Sequence, residues 1–224
     1  MDMIFVFPPI PRGFLFTYHL GAGYIRSYVQ NSVETAQFVT NRKMSTPDIV
    51  KGILDYNPLR VGFTCYDANY AYVRILARLI KRTSPDVTII VGGPTATFSA
   101  EEIMEHTPEI DVCVRGEGEE TVLELMQKDD LEGIRGITFR SGPRIMTTPD
   151  RPLITGGRGK GRELDVLPSP YLTGSIPPDG KSGILTARGC VYHCIYCNFS
   201  TMFNHTIRYH SIERVIQELK LLSD

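Results

Sequence analysis

Short unbroken apolar runs alternate with stretches of three-to-four periodicity through the first half of the chain. Met3-Ile4-Phe5-Val6-Phe7, stopped by Pro8-Pro9, predicts a buried strand, and Leu20 to Gln30 predicts a helix. Thr35 to Val39 predicts the second strand. Thr46-Pro47-Asp48 reads as an N-cap with proline at the first helical position and opens a helix through Leu54, before Arg60 to Thr64 as the third strand. From Tyr70 to Arg82 the apolar residues Val73, Leu76, Ala77 and Ile80 lie on one helical face, followed by the β-branched run Val87 to Val91. Ile110 to Val114 is the fifth strand, and Glu119 to Gln127 closes the series. This alternation predicts an α/β fold, a doubly wound parallel five-stranded Rossmann-like sheet over residues 1–132.

Gly, Pro, Ser and Thr then dominate, so 133–182 reads as a linker. It carries one hairpin, Gly136 to Arg140 and Arg144 to Thr147 around Ser141-Gly142-Pro143. In 183–224, Gly183 to Ala187 predicts a strand, and Ser211-Ile212-Glu213 opens a helix with Val215, Ile216, Leu219 and Leu222 on one face. With 224 residues, 42% of them hydrophobic, the chain can bury one full core and part of a second. A formal charge of -1, from 24 Lys+Arg and 25 Asp+Glu, gives no field that would draw it to nucleic acid. No apolar run approaches the roughly 20 residues of a membrane span, and Met1 to Phe7 lacks the layout of a signal peptide, so the expected location is cytoplasmic, without membrane contact.

Candidate chemistry concentrates in Cys190, Cys194 and Cys197, spaced C-x3-C-x2-C. Three thiolates on one loop can hold three irons of a 4Fe-4S cluster, leaving the fourth open to a ligand. Zinc bound by the three cysteines with His193 or His205 is the alternative, although zinc sites usually draw short pairs from separate hairpins. A ferredoxin run has a different spacing, and a redox C-x-x-C would leave Cys190 unexplained. An odd total of 5 cysteines argues against disulfides, and Cys65 and Cys113, in apolar runs, read as core. The segment TARGCVYHCIYCNFS resembles the signature of radical S-adenosylmethionine (SAM) enzymes, down to the aromatic Tyr196 before the third cysteine. The resemblance implies that the open iron takes the amino and carboxylate groups of SAM and that Tyr196 contacts adenine. It also implies that an electron from a flavodoxin- or ferredoxin-type donor cleaves the sulfonium.

Ligands of doubly wound sheets bind at the carboxyl ends of the strands. Four segments fall there: Pro8-Pro9, Thr64 to Asn69, Gly92 to Thr97 and Arg115 to Glu120; their glycines allow close backbone approach to a large ligand. In this order, VGGPTATF, RGEGEE and the cysteine loop resemble the cobalamin-binding domain upstream of the barrel in one class of radical SAM enzymes. That implies cobalamin contacts from Pro8, Pro9, Thr64, Tyr66, Asp67, Asn69, Gly92, Gly93, Pro94, Thr95, Gly116, Glu117, Gly118 and Glu119. The cobalt-ligating motif D-x-H-x-x-G is absent, because His19 has no Asp two residues before it. The resemblance therefore implies cobalt without a histidine ligand, with the loop after the third strand beneath the corrin, and methyl transfer from SAM through cobalt to an unactivated substrate carbon. For any one loop residue, ordinary turn chemistry is the alternative.

Other motifs are decoys. Gly21-Ala22-Gly23 begins like G-x-G-x-x-G but continues to Arg26, Gly180-Lys181-Ser182 lacks the upstream glycine of a P-loop, and the basic stretch Gly156 to Arg162 reads as a solvated loop. His106, His205 and His210 carry no ligand spacing. Leu164 to Tyr171 resembles the segment leading to the barrel, and Arg208-Tyr209-His210-Ser211 the approach to its first helix. One βα unit does not make a barrel, which needs about 200 residues or more, so the chain is expected to be inactive alone. A non-catalytic cobalamin module with a structural metal at the cysteine loop is the second hypothesis; the substrate, small molecule or peptide, is not specified by the sequence.

Overall fold

Strands buried on both faces need apolar side chains on both sides, and Met3, Ile4, Phe5 and Val6, successive residues of one apolar run, are all buried. A computed structural model describes residues 1–8, 18–41, 43–156, 163–178 and 183–223. In chain order these contain β1 (Met3–Phe7), α1 (Leu20–Val29), β2 (Thr35–Val39), α2 (Thr46–Leu54), β3 (Arg60–Thr64), α3 (Asp67–Thr83), β4 (Thr88–Gly92), α4 (Pro94–Phe98) and α5 (Ala100–His106). There follow β5 (Val112–Val114), α6 (Glu119–Gln127), β6 (Ile137–Ser141), β7 (Arg144–Thr147), β8 (Ala187–Gly189), α7 (Asn198–Met202), β9 (Ile207–Tyr209) and α8 (Ile212–Ser223). The chain divides into two compact units, Met1–Phe14 with Val29–Arg151, and Leu15–Tyr28 with Pro152–Asp224. Pro9, residues 157–162 of the basic glycine-rich stretch and the Gly180-Lys181-Ser182 triplet lie outside the described residues.

The first unit is built on a sheet of order β2-β1-β3-β4-β5-β6-β7. Its first five strands are parallel, with Ile4 opposite Ala36 and Val61, Val61 opposite Ile89, and Val91 opposite Cys113. The order turns back at β1, the topological switch of doubly wound sheets. Ile4, Ile53, Phe63, Val73, Leu76, Ile80, Ile89, Met104 and Cys113 share one core, in which Cys65 and Cys113 are fully buried. The cap of α2 is Ser45, one residue earlier than the sequence reading. Its Oγ accepts from Asp48 N at 3.3 Å, and Pro47 sits in the first turn, where a missing N–H costs nothing.

Two features differ from expectation. The stretch read as the start of a linker is sheet: β6 pairs antiparallel with β5, and the unit runs to Arg151. Ile137 and Phe139 are buried there, and the turn-forming composition belongs to the single hairpin turn at Ser141-Gly142-Pro143, where Gly142 has φ +58°. The segment Pro94 to His106, read without a helix, forms α4 and α5, both too short to show periodicity.

In the second unit α1 buries Tyr24 against Ile154, Leu164 and Leu167. A Cβ on Gly23 would lie 2.3 Å from Ile176 Cδ1, so this glycine permits close helix packing and holds no phosphate. β8 and β9 form an antiparallel ribbon, Ala187 opposite Tyr209 and Gly189 opposite Ile207. The strand expected over Gly183 to Ala187 thus forms later, and its described partner is antiparallel rather than a parallel barrel strand. Helix α8 turns Glu218 inward at 1% exposure, paired with Arg214 at 2.8 Å, while Ile212, Ile216 and Leu219 face solvent. No helix among the described residues is long and apolar enough to cross a membrane.

Candidate functional site

Strands β3, β4 and β5 pass directly into helices at one edge of the sheet. Thr64 ends β3 and Asp67 opens α3; Gly92 ends β4 and Pro94 opens α4; Val114 ends β5 and Glu119 opens α6. Asp67, Asn69, Pro94, Thr95 and Glu119, expected in loops, therefore belong to first helical turns.

Backbone and hydroxyl contacts knit these turns together. Gly93 has φ +102°, and a Cβ there would stand 2.8 Å from the carbonyl oxygen of Cys65. Cys65 N donates to Gly92 O at 2.7 Å, and Thr95 N donates back to Cys65 O at 3.3 Å. Thr95 Oγ1 donates to Asp67 Oδ1 at 2.7 Å. Thr97 joins the third turn by donating to Gly93 O at 2.9 Å and accepting from Gly116 N at 3.1 Å. Gly116, at φ +72°, has open space where a Cβ would project.

Of the residues expected to contact cobalamin, Thr64, Tyr66, Asp67, Gly92, Gly93, Pro94, Thr95, Gly116 and Gly118 reach the surface of this edge. Asn69 does not: at 1% exposure its amide accepts from Tyr66 N at 2.8 Å and donates to Thr64 O at 3.1 Å. Glu117, Glu119 and Pro8 are also buried. The Tyr66 ring meets Phe7 edge-on at 6.1 Å, and burial raises its phenol above the usual range. Burial pushes the Cys65 and Cys113 thiols up to about 12, so both stay protonated and inert at neutral pH. Glycines at 92, 93, 116 and 118 leave an edge without bulky side chains, which fits a large planar group such as a corrin.

Arg115, not singled out in the sequence, anchors this edge. Its guanidinium donates to Ile137 O at 2.6 Å, Thr138 Oγ1 at 2.7 Å, Thr148 O at 2.6 Å and Asp150 Oδ1 at 2.8 Å. A lone arginine at the end of an apolar strand was its only sequence signal.

The cysteine loop lies in the second unit. Cys194 is exposed, Cys190 and Cys197 are partly so, and Tyr196 is 88% exposed. Cys197 N donates to Cys194 O at 3.1 Å. Among the described residues no three Cys, His, Asp or Glu side chains converge as a metal requires, so the thiols share a loop without being gathered. Three accessible thiols on one exposed segment remain a donor set that suits an iron–sulfur cluster.

The histidines dismissed for lack of spacing have partners. His205 stacks on His193 with ring centroids 3.9 Å apart. His210 lies between Asp165 Oδ1, 3.3 Å from Nδ1, and the Tyr24 hydroxyl, 3.2 Å from Nε2. A carboxylate only accepts, so Nδ1 carries the proton and Nε2 accepts from Tyr24. Burial, and then the charge of Arg214, keeps this imidazole below its usual pKa and therefore neutral. His19 Nδ1 accepts from Ala22 N at 3.2 Å, and burial lowers its pKa to about 4.

Residues 15–126 match the B12 binding domain family. The chain is 32% identical over 216 residues to the uncharacterized methyltransferase PH0819 of Pyrococcus horikoshii, covering 91% of this chain and 45% of that protein. It is 26% identical over 221 residues to the cobalamin-dependent radical SAM methyltransferase TokK of Streptomyces tokunonensis, covering 90% and 31%. Among solved structures, that of the apo cobalamin-dependent S-adenosylmethionine radical enzyme OxsB aligns with a TM-score of 0.72 at 19% identity, over 99% of this chain and 31% of that one, a likeness of fold. The chain thus spans less than half the length of these proteins. With the sheet order, the knitted glycine edge and these relatives taken together, the chain belongs to the B12-binding domain family, in the form found in cobalamin-dependent radical SAM enzymes.

Proposed function

We propose that this chain provides the cobalamin-binding domain and the cluster-binding loop of a radical SAM methyltransferase acting on an unactivated carbon. The observation that carries the reading is the presence, in one chain, of a glycine-lined sheet edge knitted through Gly93, Thr95 and Thr97 and of an accessible C-x3-C-x2-C loop. When bound, the cluster and corrin supply an electron for cleaving SAM and a carrier for its methyl group.

Cys190, Cys194 and Cys197 would hold iron as thiolates, and Tyr196 would lie against adenine. The corrin would rest on Thr64, Tyr66, Asp67, Gly92, Gly93, Pro94, Thr95, Gly116 and Gly118. No histidine lies in the turn from Cys65 to Asn69, and the Cys65 thiol is buried and protonated, so that turn offers cobalt neither an imidazole nor a thiolate. The acceptor would be a carbon of a small molecule or peptide, the electron would come from a flavodoxin- or ferredoxin-type protein, and the setting would be cytoplasmic. The relatives are more than twice as long as the stretch they share with this chain, and turnover of SAM is expected to need βα units beyond those among the described residues.

The test is anaerobic iron–sulfide reconstitution with hydroxocobalamin, desalting and an absorption spectrum. The expected result is retained corrin bands together with thiolate–iron absorption and about four irons per chain. Cys190→Ala, Cys194→Ala and Cys197→Ala should each lose iron and keep corrin. Corrin without iron in the unaltered chain would favour a non-catalytic cobalamin module; iron without corrin would overturn the reading of the first unit.

A further inference from the structure

After α7 the chain makes a turn in which two successive non-glycine residues, Asn204 at φ +49° and His205 at φ +53°, are left-handed. Such a conformation is disfavoured for residues that carry a Cβ and persists only where its surroundings impose it. The turn is closed by bonds from His205 N to Ser200 O at 2.8 Å, Asn204 N to Thr201 O at 3.1 Å and Thr206 N to Phe203 O at 3.0 Å. It touches the cysteine loop twice. A Cβ on Gly189, just before Cys190, would stand 2.0 Å from Thr206 O. The His205 ring lies against His193 at 3.9 Å and 23°, and its Nδ1 is 3.3 Å from Tyr192 O. A carbonyl only accepts, so that nitrogen carries the proton.

His193 is the one imidazole between Cys190 and Cys197. Three thiolates and an imidazole make a closed structural zinc site, whereas a three-cysteine iron cluster keeps one position open. We infer that His205 is a positioning residue that sets the metal preference of the loop, its stack and left-handed turn holding His193 out of the ligand set. The inference rests on the cluster-binding role proposed above.

The test uses His205→Asn, because asparagine accepts the left-handed backbone but cannot stack as imidazole does. In iron–sulfide reconstitution with competing zinc, this variant should take up about tenfold more zinc than the unaltered chain, the scale on which outer-shell groups tune metal affinity. Its remaining reduced cluster should show in pulsed EPR the strong nitrogen hyperfine coupling of an iron-bound imidazole, absent from the unaltered chain. Adding His193→Ala to His205→Asn should restore the original zinc level and remove the coupling.

Equal zinc and no coupling in the single variant would overturn the inference. So would zinc preference or nitrogen coupling in the unaltered chain, or loss of all metal in the single variant that the double variant fails to restore. An unaltered chain that binds no iron would instead overturn the cluster reading itself, and the inference with it.

Discussion

Gly93 and the Cys65 carbonyl approach so closely that a methyl group at position 93 would sit 2.8 Å from the oxygen. The contact joins the turns after β3 and β4, and the positive φ at Gly93 lets the backbone make it. Gly93→Ala should therefore cost about 2–4 kcal/mol, combining a left-handed penalty with a clash against main chain. Gly116→Ala meets nothing within 4 Å and should cost only about 1 kcal/mol. Urea midpoints compare the two variants; equal losses would mean that the Cys65 contact is unimportant.

Arg115 secures the turn after β5 to the hairpin beside it. Arg115→Met should cost about 2–4 kcal/mol, because buried acceptors at Ile137, Thr138 and Thr148 lose their donor. Arg115→Lys should recover only part, since an ammonium cannot reproduce the fork. Asp150→Asn, at an 87% exposed side chain, should cost below about 1 kcal/mol. Full recovery by lysine in chemical denaturation would contradict this account.

Acid should destabilise the second unit before pH 4. The folded-state pKa of His19 lies near 4 and that of His210 is also depressed, both first of all by burial, from an ordinary value of 6.5. As pH falls through about 6.5 the unfolded chain takes up protons that the folded chain refuses, so stability is full above that pH and declines towards pH 4. For His19 the loss is about 2 kcal/mol by about pH 5 and about 3 kcal/mol by pH 4. Melting curves from pH 7.5 to 5 should slope downward, and less steeply in His210→Gln, whose amide can still bond Asp165; an unchanged slope would remove His210 from the explanation.

Helix α8 has an inverted polarity. The triple change of exposed Ile212, Ile216 and Leu219 to Lys should shift stability by only about 0.5 kcal/mol per site in thermal melts. Glu218→Ala, which strands the Arg214 guanidinium beside the buried Ser169, should cost about 3–5 kcal/mol. A milder Glu218 effect in thermal melts would mean that water replaces the pair.

Much of this was legible in the sequence, for physical reasons. Strands buried on both faces must be apolar throughout, and the helical stripe Val73, Leu76, Ala77 and Ile80 must face the core, so β1 to β5, α1, α2, α3 and α6 showed themselves to within three residues at their ends. The grouping of Cys190, Cys194 and Cys197 was visible because it is local in the chain, and the structure sets all three on one accessible loop. What depends on contacts between distant segments was not visible. The hairpin read as part of a linker became sheet because β5 offered it an open edge. Asn69 left the candidate surface because its amide was needed by its own turn, and His205 gained meaning from His193, twelve residues away. Periodicity and spacing record which faces are buried and which donors are neighbours along the chain. Only the tertiary structure decides which backbone carbonyl a glycine must clear, which arginine fastens an edge and which imidazole is held away, because those are distances between segments that the one-dimensional pattern does not encode.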